Sequence, residues 1–370
     1  MLKDKAIIVA VKSKQNYEHF EESLEELKSL LSFAGAELKF TVIQKSHGII
    51  PSTLIGKGKI EEVKNLADHM EANMIVFLNH LTPTQFKNLE REFGNFKVID
   101  RVALILDIFA QRARTIEGKL QVELAQLNYL LPRIVGYGKM LSRLGGGIGT
   151  RGPGEKKLTI EKRKILKRIN YIRNKIKEVE KNRNIQRKSR IKSNYHLVSI
   201  VGYTNAGKST LFNLLTKSNV MVDSRAFTTL DPKTELAYID DDTKILVTDT
   251  VGFVRNLPKE LLEAFKATFE ELIYSDLHLL IFDISNTNFE AHIKETVKLL
   301  EEIGASFVPQ IKVFNKIDKV HEEYLLKIKE KYPDFIFISA KNKINIDILK
   351  REIKKTLLKY ENKSQTQKCN

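Results

Sequence analysis

The sequence is poor in cysteine and in long apolar runs. It has 370 residues and a single cysteine, Cys369, close to its C-terminal end. A lone cysteine can form no disulfide within the chain and no cysteine-based metal site, which suits a reducing compartment. No stretch approaches the roughly 18 apolar residues that span a bilayer, and residues 1–5 do not resemble a cleavable apolar signal. We therefore expect a soluble, cytoplasmic protein with no integral membrane association.

Acidic residues are too few to balance the basic ones, and the net charge is +16. The excess is local, because residues 151–195 alone hold 17 basic and 4 acidic side chains, while residues 1–110 and 196–370 are nearly neutral. Such concentrated positive charge predicts a polyanion partner, RNA or DNA. A solvated helix face that only aids solubility is the alternative. A membrane surface is a third interpretation, which the scarcity of aromatic residues in this part of the chain disfavours.

The strongest motif follows the pattern G-x-x-x-x-G-K-S, between an apolar run at 197–201 and another at 211–215. This order of strand, loop and helix predicts a P-loop, whose backbone N–H groups surround a phosphate chain. Lys208 would neutralise the β- and γ-phosphates, and Ser209 would place its hydroxyl on Mg²⁺. The nucleotide-binding residues predicted here are Gly202, Tyr203, Thr204, Asn205, Ala206, Gly207, Lys208, Ser209 and Thr210.

Three later stretches indicate which nucleotide is bound. An apolar run at 244–249 ends in D-x-x-G, so Asp249 can hold Mg²⁺ through water and the Gly252 N–H can meet the γ-phosphate, with Thr250 and Val251 between them. A third strand, predicted over 307–314, leads to Asn315, Lys316 and Asp318. A carboxylate there can accept from both N1–H and the 2-amino group of guanine, and this favours GTP over ATP. After a strand at 335–338, the backbone of Ser339, Ala340 and Lys341 is expected to contact the guanine oxygen.

A loop between these motifs contains Phe227, Thr228 and Thr229, which we predict to be near the nucleotide. One threonine, Thr229 rather than Thr228, is expected to close onto Mg²⁺ and the γ-phosphate in the triphosphate state. Lys208, Thr229 and Gly252 are the predicted catalytic residues; the alternative for the loop is a plain solvated turn. Phe253 stands where many small GTPases carry a water-orienting glutamine. We therefore expect slow intrinsic hydrolysis that is stimulated from outside.

Short apolar runs alternate with helical patterns over residues 1–110, and this predicts a parallel α/β sheet with crossover helices. Strands are expected over 6–11, 37–43, 74–78 and from 97, with helices over 17–33, 60–70 and 84–93. The sequence G-K-G-K at 56–59 is either an anion-binding turn that opens a helix or a flexible connector. The sequence does not distinguish these two possibilities.

Two heptad-like seams follow, one from Leu120 to Ile134 and one from Ile165 to Val179. A glycine-rich stretch at 145–154 separates them, so the pattern predicts an antiparallel helical arm with a basic tip. The first seam could instead pack on the α/β domain. RNA phosphates are expected to contact the tip and the adjoining helix faces, and residues 187–193 to form a polar linker. The predicted RNA-binding residues are Arg143, Gly145, Gly146, Gly147, Arg151, Lys156, Lys157, Arg163 and Lys164.

These observations define an α/β chain with four parts. Residues 1–110 form the parallel α/β domain and 111–192 the basic helical arm with its linker. Residues 193–362 form a P-loop GTPase domain with a mostly parallel sheet, and 363–370 a polar tail.

Segments 100–101, 104–113, 118–127 and 145–155, together with the GTPase motifs, resemble the HflX family of ribosome-associated GTPases over nearly the whole chain. The resemblance implies binding to the large ribosomal subunit through ribosomal RNA, with GTP-dependent splitting or rescue of stalled ribosomes, often under heat or antibiotic stress. Asn205 resembles the potassium ligand of potassium-stimulated relatives, or else bonds only within its own loop. Lys156 departs from the threonine usual at its position. We expect a monomer that binds GTP and GDP.

A second hypothesis belongs to another class of protein. The chain could be an RNA-remodelling NTPase whose N-terminal domain binds a nucleotide of its own, ATP included, while the GTPase domain regulates it. The G-K-G-K stretch at 56–59 is the feature of the sequence that suggests it.

Overall fold

The computed structural model describes residues 4–13, 20–45, 50–144, 153–192, 195–217, 233–250, 252–253 and 266–368. Only the backbone is described at 135–144, 153–159, 180, 182–192, 266–268, 270 and 361–368. Over the described residues the chain divides into two compact units, the first extending to Glu178 and the second beginning at Val179.

The first unit contains a four-stranded parallel sheet in the order β2-β1-β3-β4, as the alternation of strands and helices predicts. Its strands and the helices between them are β1 (Lys5–Lys12), α1 (Phe20–Phe33), β2 (Glu37–Lys45), α2 (Lys57–His69), β3 (Met74–Phe77), α3 (Pro83–Phe93), β4 (Lys97–Asp100) and α4 (Arg101–Arg112).

The helices cover the sheet with their apolar stripes. In α1, Leu24, Leu27, Leu30 and Leu31 are buried, at the spacing that places side chains on one helix face. Helix α3 begins with Pro83 after a Thr82 cap, where proline is well tolerated because its missing N–H has no intrahelical partner anyway. Helix α2 begins at Lys57, three residues before the predicted start. The G-K-G-K stretch therefore forms the first turn of a helix rather than a separate loop.

Two long helices complete the first unit and lead out of it, α5 (Ile116–Leu144) and α6 (Pro153–Lys192). The predicted contact between the seams is confirmed, because Leu124 of α5 clusters with Ile169, Ile172 and Ile176 of α6. Only residues 145–152 separate the helices. A link of that length is too short to return to the start of a 29-residue helix, so the pair is antiparallel.

The first seam packs on α6, not on the α/β domain, and a different face of α5 packs against α3 and α4 of that domain. The Tyr129 hydroxyl donates to Asp100 Oδ1 over 2.8 Å, and Arg133 Nη2 lies 3.3 Å from Asp100 Oδ2. Asp100 is fully buried at the end of β4. These bonds attach the first half of the arm to the sheet.

The prediction of a polar linker at 187–193 is wrong up to residue 192, because α6 continues to Lys192. The stretch 187–192 contains no proline or glycine and is rich in lysine and arginine, which are good helix formers. Polarity alone therefore did not end the helix.

The second unit contains a six-stranded sheet in the order β10-β9-β8-β5-β7-β6, parallel except for β6. This confirms the predicted mostly parallel P-loop fold. Its elements are β5 (His196–Gly202), α7 (Lys208–Thr216), β6 (Lys233–Tyr238), β7 (Lys244–Asp249), α8 (Lys266–Ile273), β8 (Leu277–Asp283), α9 (Phe289–Glu302), β9 (Gln310–Asn315), α10 (Glu322–Lys331), β10 (Ile336–Phe337) and α11 (Ile346–Lys368).

Two strands of this sheet, β6 and β8, were not predicted, and β9 begins three residues later than expected. Pro309 precedes β9 and has no N–H to donate to a ladder, although its carbonyl accepts from His278 N over 2.8 Å. Phe307 lies outside the strand and is exposed. None of the helices in the described residues is long and apolar enough to cross a membrane.

Candidate nucleotide-binding site

The loop from β5 to α7 depends on two glycines. At Gly202 φ is +156°, and an added Cβ would lie 2.2 Å from the carbonyl oxygen of Ile281 in the neighbouring strand β8. At Gly207 φ is +94°, and a Cβ would lie 2.2 Å from Asn315 Nδ2. Both positions therefore require glycine for space as well as for backbone conformation. The N-terminus of α7 directly follows, where backbone N–H groups can bind an anion.

Lys208 opens α7 with a buried ammonium group. Its Nζ donates to the carbonyl oxygen of Tyr203 over 2.8 Å. Burial, opposed in part by Asp249 and aided by Lys316, lowers the pKa of Lys208 to about 8. A phosphate chain placed in this loop would supply the negative charge that this buried cation needs.

Ser209, in the first turn of α7, and Asp249, at the end of β7, bring two oxygen atoms together. Ser209 Oγ donates to Asp249 Oδ2 over 2.7 Å, and the Asp249 side chain is fully buried. Hydroxyl and carboxylate oxygens are ligands that Mg²⁺ accepts, and this ion usually keeps several waters and takes its other ligands from phosphates. The residues present therefore fit Mg²⁺. No group of three or more His, Cys, Asp or Glu side chains suited to a metal ion occurs in the described part of the chain.

The D-x-x-G stretch lies against the P-loop. Phe253 N donates to the Gly202 carbonyl over 3.1 Å, and Thr204 N donates to the Phe253 carbonyl over 2.9 Å. A Cβ at Gly252 would lie 2.8 Å from the Thr204 side chain and 3.0 Å from Lys208 Nζ. Gly252 is therefore close enough to the lysine to share a phosphate with it. Thr250 is turned inward, since its hydroxyl donates to the Ile200 carbonyl over 2.6 Å.

The Phe253 side chain is 2% exposed and packs beside Phe269, with ring centroids 6.3 Å apart. The sequence showed only that this residue cannot orient water. The structure adds that its side chain belongs to the apolar interior rather than to the nucleotide site.

Asn315, at the end of β9, connects the P-loop to the loop that follows β10. Its Nδ2 donates to the Ala206 carbonyl over 2.9 Å, and its Oδ1 accepts from Ala340 N over 2.9 Å. The structure thus brings together three predicted motifs through one buried amide. The Asn315 amide therefore fixes the position of the loop around Ala340 relative to the phosphate loop.

Asp318 and Ser339 are neighbours on the side where a base would sit. Ser339 Oγ donates to Asp318 Oδ1, and Asn342 N donates to Ser339 Oγ over 3.1 Å. The Asp318 carboxylate is thus held in place by Ser339. Lys341 is exposed at the next position of the loop.

Asp283 is a residue that the motif search did not find. It ends β8, and its Oδ2 lies 2.6 Å from Lys316 Nζ while its Oδ1 accepts from Ser285 Oγ over 2.6 Å. Lys316 itself has φ of +66°. A carboxylate at the end of a strand beside Asn315 could have been noticed from the rule that ligands lie at the carboxyl ends of such strands, had β8 been predicted.

Tyr203 contributes a second contact that the sequence does not reveal. Its ring stacks on His292 of α9 with centroids 3.8 Å apart, and its hydroxyl donates to Glu295. The side chain is therefore turned away from the phosphate loop, and Tyr203 serves the site through its backbone. Asn205, by contrast, is exposed in the loop with φ of +62°.

Several predicted site residues cannot be located. Phe227, Thr228, Thr229 and Val251 lie outside the described residues. The same is true of Gly145, Gly146, Gly147 and Arg151 in the predicted tip.

Of the other predicted RNA-binding residues, Arg163 and Lys164 are exposed on α6. Arg143 lies on α5 and Lys156 and Lys157 on α6, where only the backbone is described.

Four features lie together at the carboxyl ends of parallel strands: a glycine-dependent loop, a buried lysine, a Ser–Asp pair and a carboxylate held by a serine. The fold and this arrangement define a P-loop GTP-binding protein. Comparisons with known proteins identify the family within this class. Residues 197–316 match the family described as 50S ribosome-binding GTPase, and 286–358 match the C-terminal region of that domain. Residues 21–110 and 112–190 match the N-terminal and middle regions of a GTP-binding GTPase family.

The chain belongs to the HflX family of GTPases, and it is a GTP hydrolase. GTPase HflX of Caldanaerobacter subterraneus subsp. tengcongensis is 49% identical over 358 residues, which are 96% of this chain and 81% of that relative. GTPase HflX of Escherichia coli is 42% identical over 321 residues, 86% of this chain and 75% of the relative. A crystal structure of the SsGBP and GDP complex is similar with a TM-score of 0.50 and 27% identity, covering 97% of this chain and 99% of that one.

Proposed function

We propose that this GTPase binds the large ribosomal subunit and couples GTP binding and hydrolysis to the splitting of ribosomes or the rescue of stalled ones. The family match to a 50S ribosome-binding GTPase supports the ribosome as partner. What favours an RNA contact in particular is the distribution of charge on α6.

The described part of α6 separates its apolar and basic residues. Ile169, Ile172 and Ile176 are buried against α5, whereas most lysines and arginines of the same stretch are exposed. Lys175 is half-buried, and the exposed Arg168 pairs with Glu123 of α5. Apart from Arg168, the exposed basic residues are Lys162, Arg163, Lys164, Lys167, Arg173, Lys177 and Lys181. Ile160, Leu166 and Tyr171 of α6 are exposed beside these cations. A helix that buries one apolar seam and exposes many cations can lie along a phosphate backbone. This single observation carries the proposal of ribosomal RNA as the direct contact.

At the nucleotide, we propose the following roles. Lys208 and the backbone N–H groups of the loop bind the β- and γ-phosphates, and Ser209 binds Mg²⁺ directly with Asp249 behind a water molecule. Bound Mg²⁺ would neutralise charge that develops on the phosphate oxygens. Thr229 would close over the γ-phosphate and Gly252 would donate its N–H to it. Asp318, Ser339, Ala340 and Lys341 would read guanine.

Hydrolysis then needs help that the described side chains do not provide, because Phe253 is buried. The proposed sources are ribosomal RNA, a backbone group, or K⁺ bound through Asn205. Thr229 and the D-x-x-G segment would be ordered by GTP and released after hydrolysis. This release would weaken the binding of the helical arm to the subunit.

The remaining expectations stay proposals. We propose a monomer in the cytoplasm, with domain boundaries near residues 110, 192 and 362. The G-K-G-K stretch, which suggests the RNA-remodelling alternative, caps and begins α2.

The test is GTP hydrolysis by the purified full-length chain with and without large ribosomal subunits, in potassium and in sodium buffer. Strong stimulation by subunits is expected, and it should fall in a Lys164→Gln, Lys167→Gln variant. A matched control is Lys327→Gln, Lys359→Gln, which removes two exposed lysines from α10 and α11. Absence of stimulation in either salt would overturn the proposal. ATP turnover that persists in Lys208→Met would favour the RNA-remodelling alternative.

A further inference from the structure

The end of the GTPase sheet opposite the nucleotide carries a row of aromatic side chains. We call this end the strand-start edge, defined by residues 195–196, 238–244, 274–276, 302–307 and 333–334. Strands β5, β7, β8, β9 and β10 begin there, and the antiparallel β6 ends there. The strands are six or seven residues long in β5, β7, β8 and β9, so this edge lies roughly 20 Å from the nucleotide site.

The register of the sheet gives the order of the strands that these aromatic residues border. His196 of β5 pairs with Ile245 of β7, and Tyr238 pairs with Lys244. Val198 pairs with Leu277 of β8, and His278 pairs with Gln310 of β9. Neighbouring strands are about 4.8 Å apart. Tyr195 directly precedes β5 and Tyr238 ends β6, whereas Tyr274 and Phe307 lie in the connections three residues before β8 and β9. In sheet order the exposed aromatic residues are Phe307, Tyr274, Tyr195 and Tyr238.

These rings are unusually open to solvent. Phe307 is 71% exposed, Tyr274 59%, Tyr238 49% and Tyr195 39%. Single exposed aromatic residues are ordinary on a protein surface, but several along one edge mark an interaction surface.

The five segments that define the strand-start edge hold more acidic than basic side chains. Its five segments contain six acidic side chains and one basic side chain, Lys244. Two lysines of α11 reach one end of the edge, where Lys354 pairs with Asp240 over 2.6 Å and Lys350 Nζ donates to the Tyr238 carbonyl. The acidic excess persists when they are included. The acidic residues are Asp240, Asp241, Asp242, Asp276, Glu302 and Asp334.

We propose that the strand-start edge docks a lysine- and arginine-rich protein segment. Carboxylates attract such a segment, and aromatic faces bind ammonium and guanidinium groups. The edge already shows this contact internally, since Lys244 Nζ lies 5.4 Å from the centre of the Tyr238 ring. A nucleic acid would be repelled by the same carboxylates, so this surface is distinct from the basic arm in the kind of partner it takes.

The first experiment measures binding of a fluorescently labelled peptide of alternating lysine, arginine and glycine to the full-length chain by polarisation. The variants Phe307→Ser and Asp241→Lys should each weaken binding about fivefold or more. The matched controls are Leu326→Ser and Glu323→Lys, an exposed leucine and an exposed glutamate of α10. Unchanged affinity in both edge variants, or an equal loss in the controls, would overturn the proposal. Because no ribosome is involved, this result is independent of the proposed function.

A second experiment identifies the natural occupant. A photo-reactive phenylalanine analogue at position 307 is cross-linked in the presence of large ribosomal subunits, with pelleting used to establish that the subunits are bound. Cross-links to basic segments of ribosomal proteins would support the proposal. Cross-links to RNA, or to a second copy of this chain, would contradict it. If the subunits do not pellet with the chain, the proposed function fails, and the peptide measurement still decides the proposal for the edge.

Discussion

The side chain of Asn315 donates to the carbonyl oxygen of Ala206, 109 residues earlier in the chain, over 2.9 Å. Its other amide atom accepts from Ala340 N at the same distance. One buried side chain therefore fixes the phosphate loop relative to the loop that would contact guanine. Asn315 can reach both loops because of the strand order. Its strand β9 lies between β10 and β8, and β5, which leads into the phosphate loop, is the next strand after β8.

Replacing Asn315 by alanine should weaken both the fold and nucleotide binding. The change leaves a buried carbonyl and a buried N–H without their bonds, at about 1–3 kcal/mol for each such group. We expect the free energy of unfolding to fall by about 2–4 kcal/mol, and GDP to stabilise the variant less than the wild type. Thermal unfolding with and without GDP measures both effects. Asn342→Ala, at an exposed position, is the control; if the two variants behave alike, the bridging role of Asn315 is wrong.

Gly202→Ala should be far more damaging than Gly304→Ala. Both glycines have positive φ, +156° and +73°, but a Cβ at Gly304 meets no heavy atom within 4 Å, whereas one at Gly202 meets the Ile281 carbonyl at 2.2 Å. Backbone strain alone costs about 1 kcal/mol at Gly304. At Gly202 strand β8 must shift as well, and we expect a loss of about 3 kcal/mol or more. Chemical denaturation of the two variants compares them, and similar losses would contradict the predicted clash.

Phe253→Gln should not create an active glutamine. The side chain is buried next to Phe269, so an amide there loses packing and is left in apolar surroundings. We expect about 3 kcal/mol of destabilisation and no gain in GTP hydrolysis without ribosomal subunits. Phe253→Leu keeps the site apolar and should cost less. A faster basal rate in the glutamine variant would show that residue 253 reaches the γ-phosphate after all.

The motif residues could be placed from the sequence because phosphate and guanine chemistry fix their types and spacing. Lys208, Ser209, Asp249 and Asn315 do lie together at one end of the sheet. Strand β8 escaped prediction although it is central, because a continuous apolar run cannot be distinguished from a buried helix by periodicity. Without β8 neither Asp283 nor the constraint on Gly202 could be foreseen.

The direction in which a side chain points was the second feature that could not be predicted from the sequence. The sequence located Phe253 and Tyr203 beside the phosphate loop, but which way each side chain turns depends on packing partners distant in the chain, Phe269 and Glu295. In the helical arm, by contrast, the contacts between side chains could be predicted. Its seams were predictable from spacing alone, since a heptad pattern specifies which residues of two neighbouring helices meet.

The affinity for GDP should fall as the pH rises above 8. Burial lowers the pKa of Lys208 to about 8 in the free protein. A bound phosphate chain favours the charged ammonium and raises this pKa, so binding takes up a proton once the pH exceeds the value in the free protein. Below pH 8 the free lysine is already protonated and affinity should be constant; above it, affinity should decrease by up to about tenfold per pH unit until the pKa of the complex is reached.

Titration calorimetry between pH 7 and 9, in buffers of different ionisation enthalpy, measures both the affinity and the proton uptake. The control is Lys208→Arg, whose guanidinium stays charged throughout this range. Its absolute affinity will be lower, because arginine is larger and differently shaped, but its affinity should not depend on pH. Without nucleotide, the stability of the fold should change with pH in the opposite direction. Because the pKa of Lys208 is about 8 in the folded protein and 10.5 is the ordinary value for lysine, the free energy of unfolding should increase as the pH rises from about 8 towards 10.5. If wild type and Lys208→Arg show the same slope, the proton is taken up elsewhere and Lys208 is charged in the free protein at pH 9.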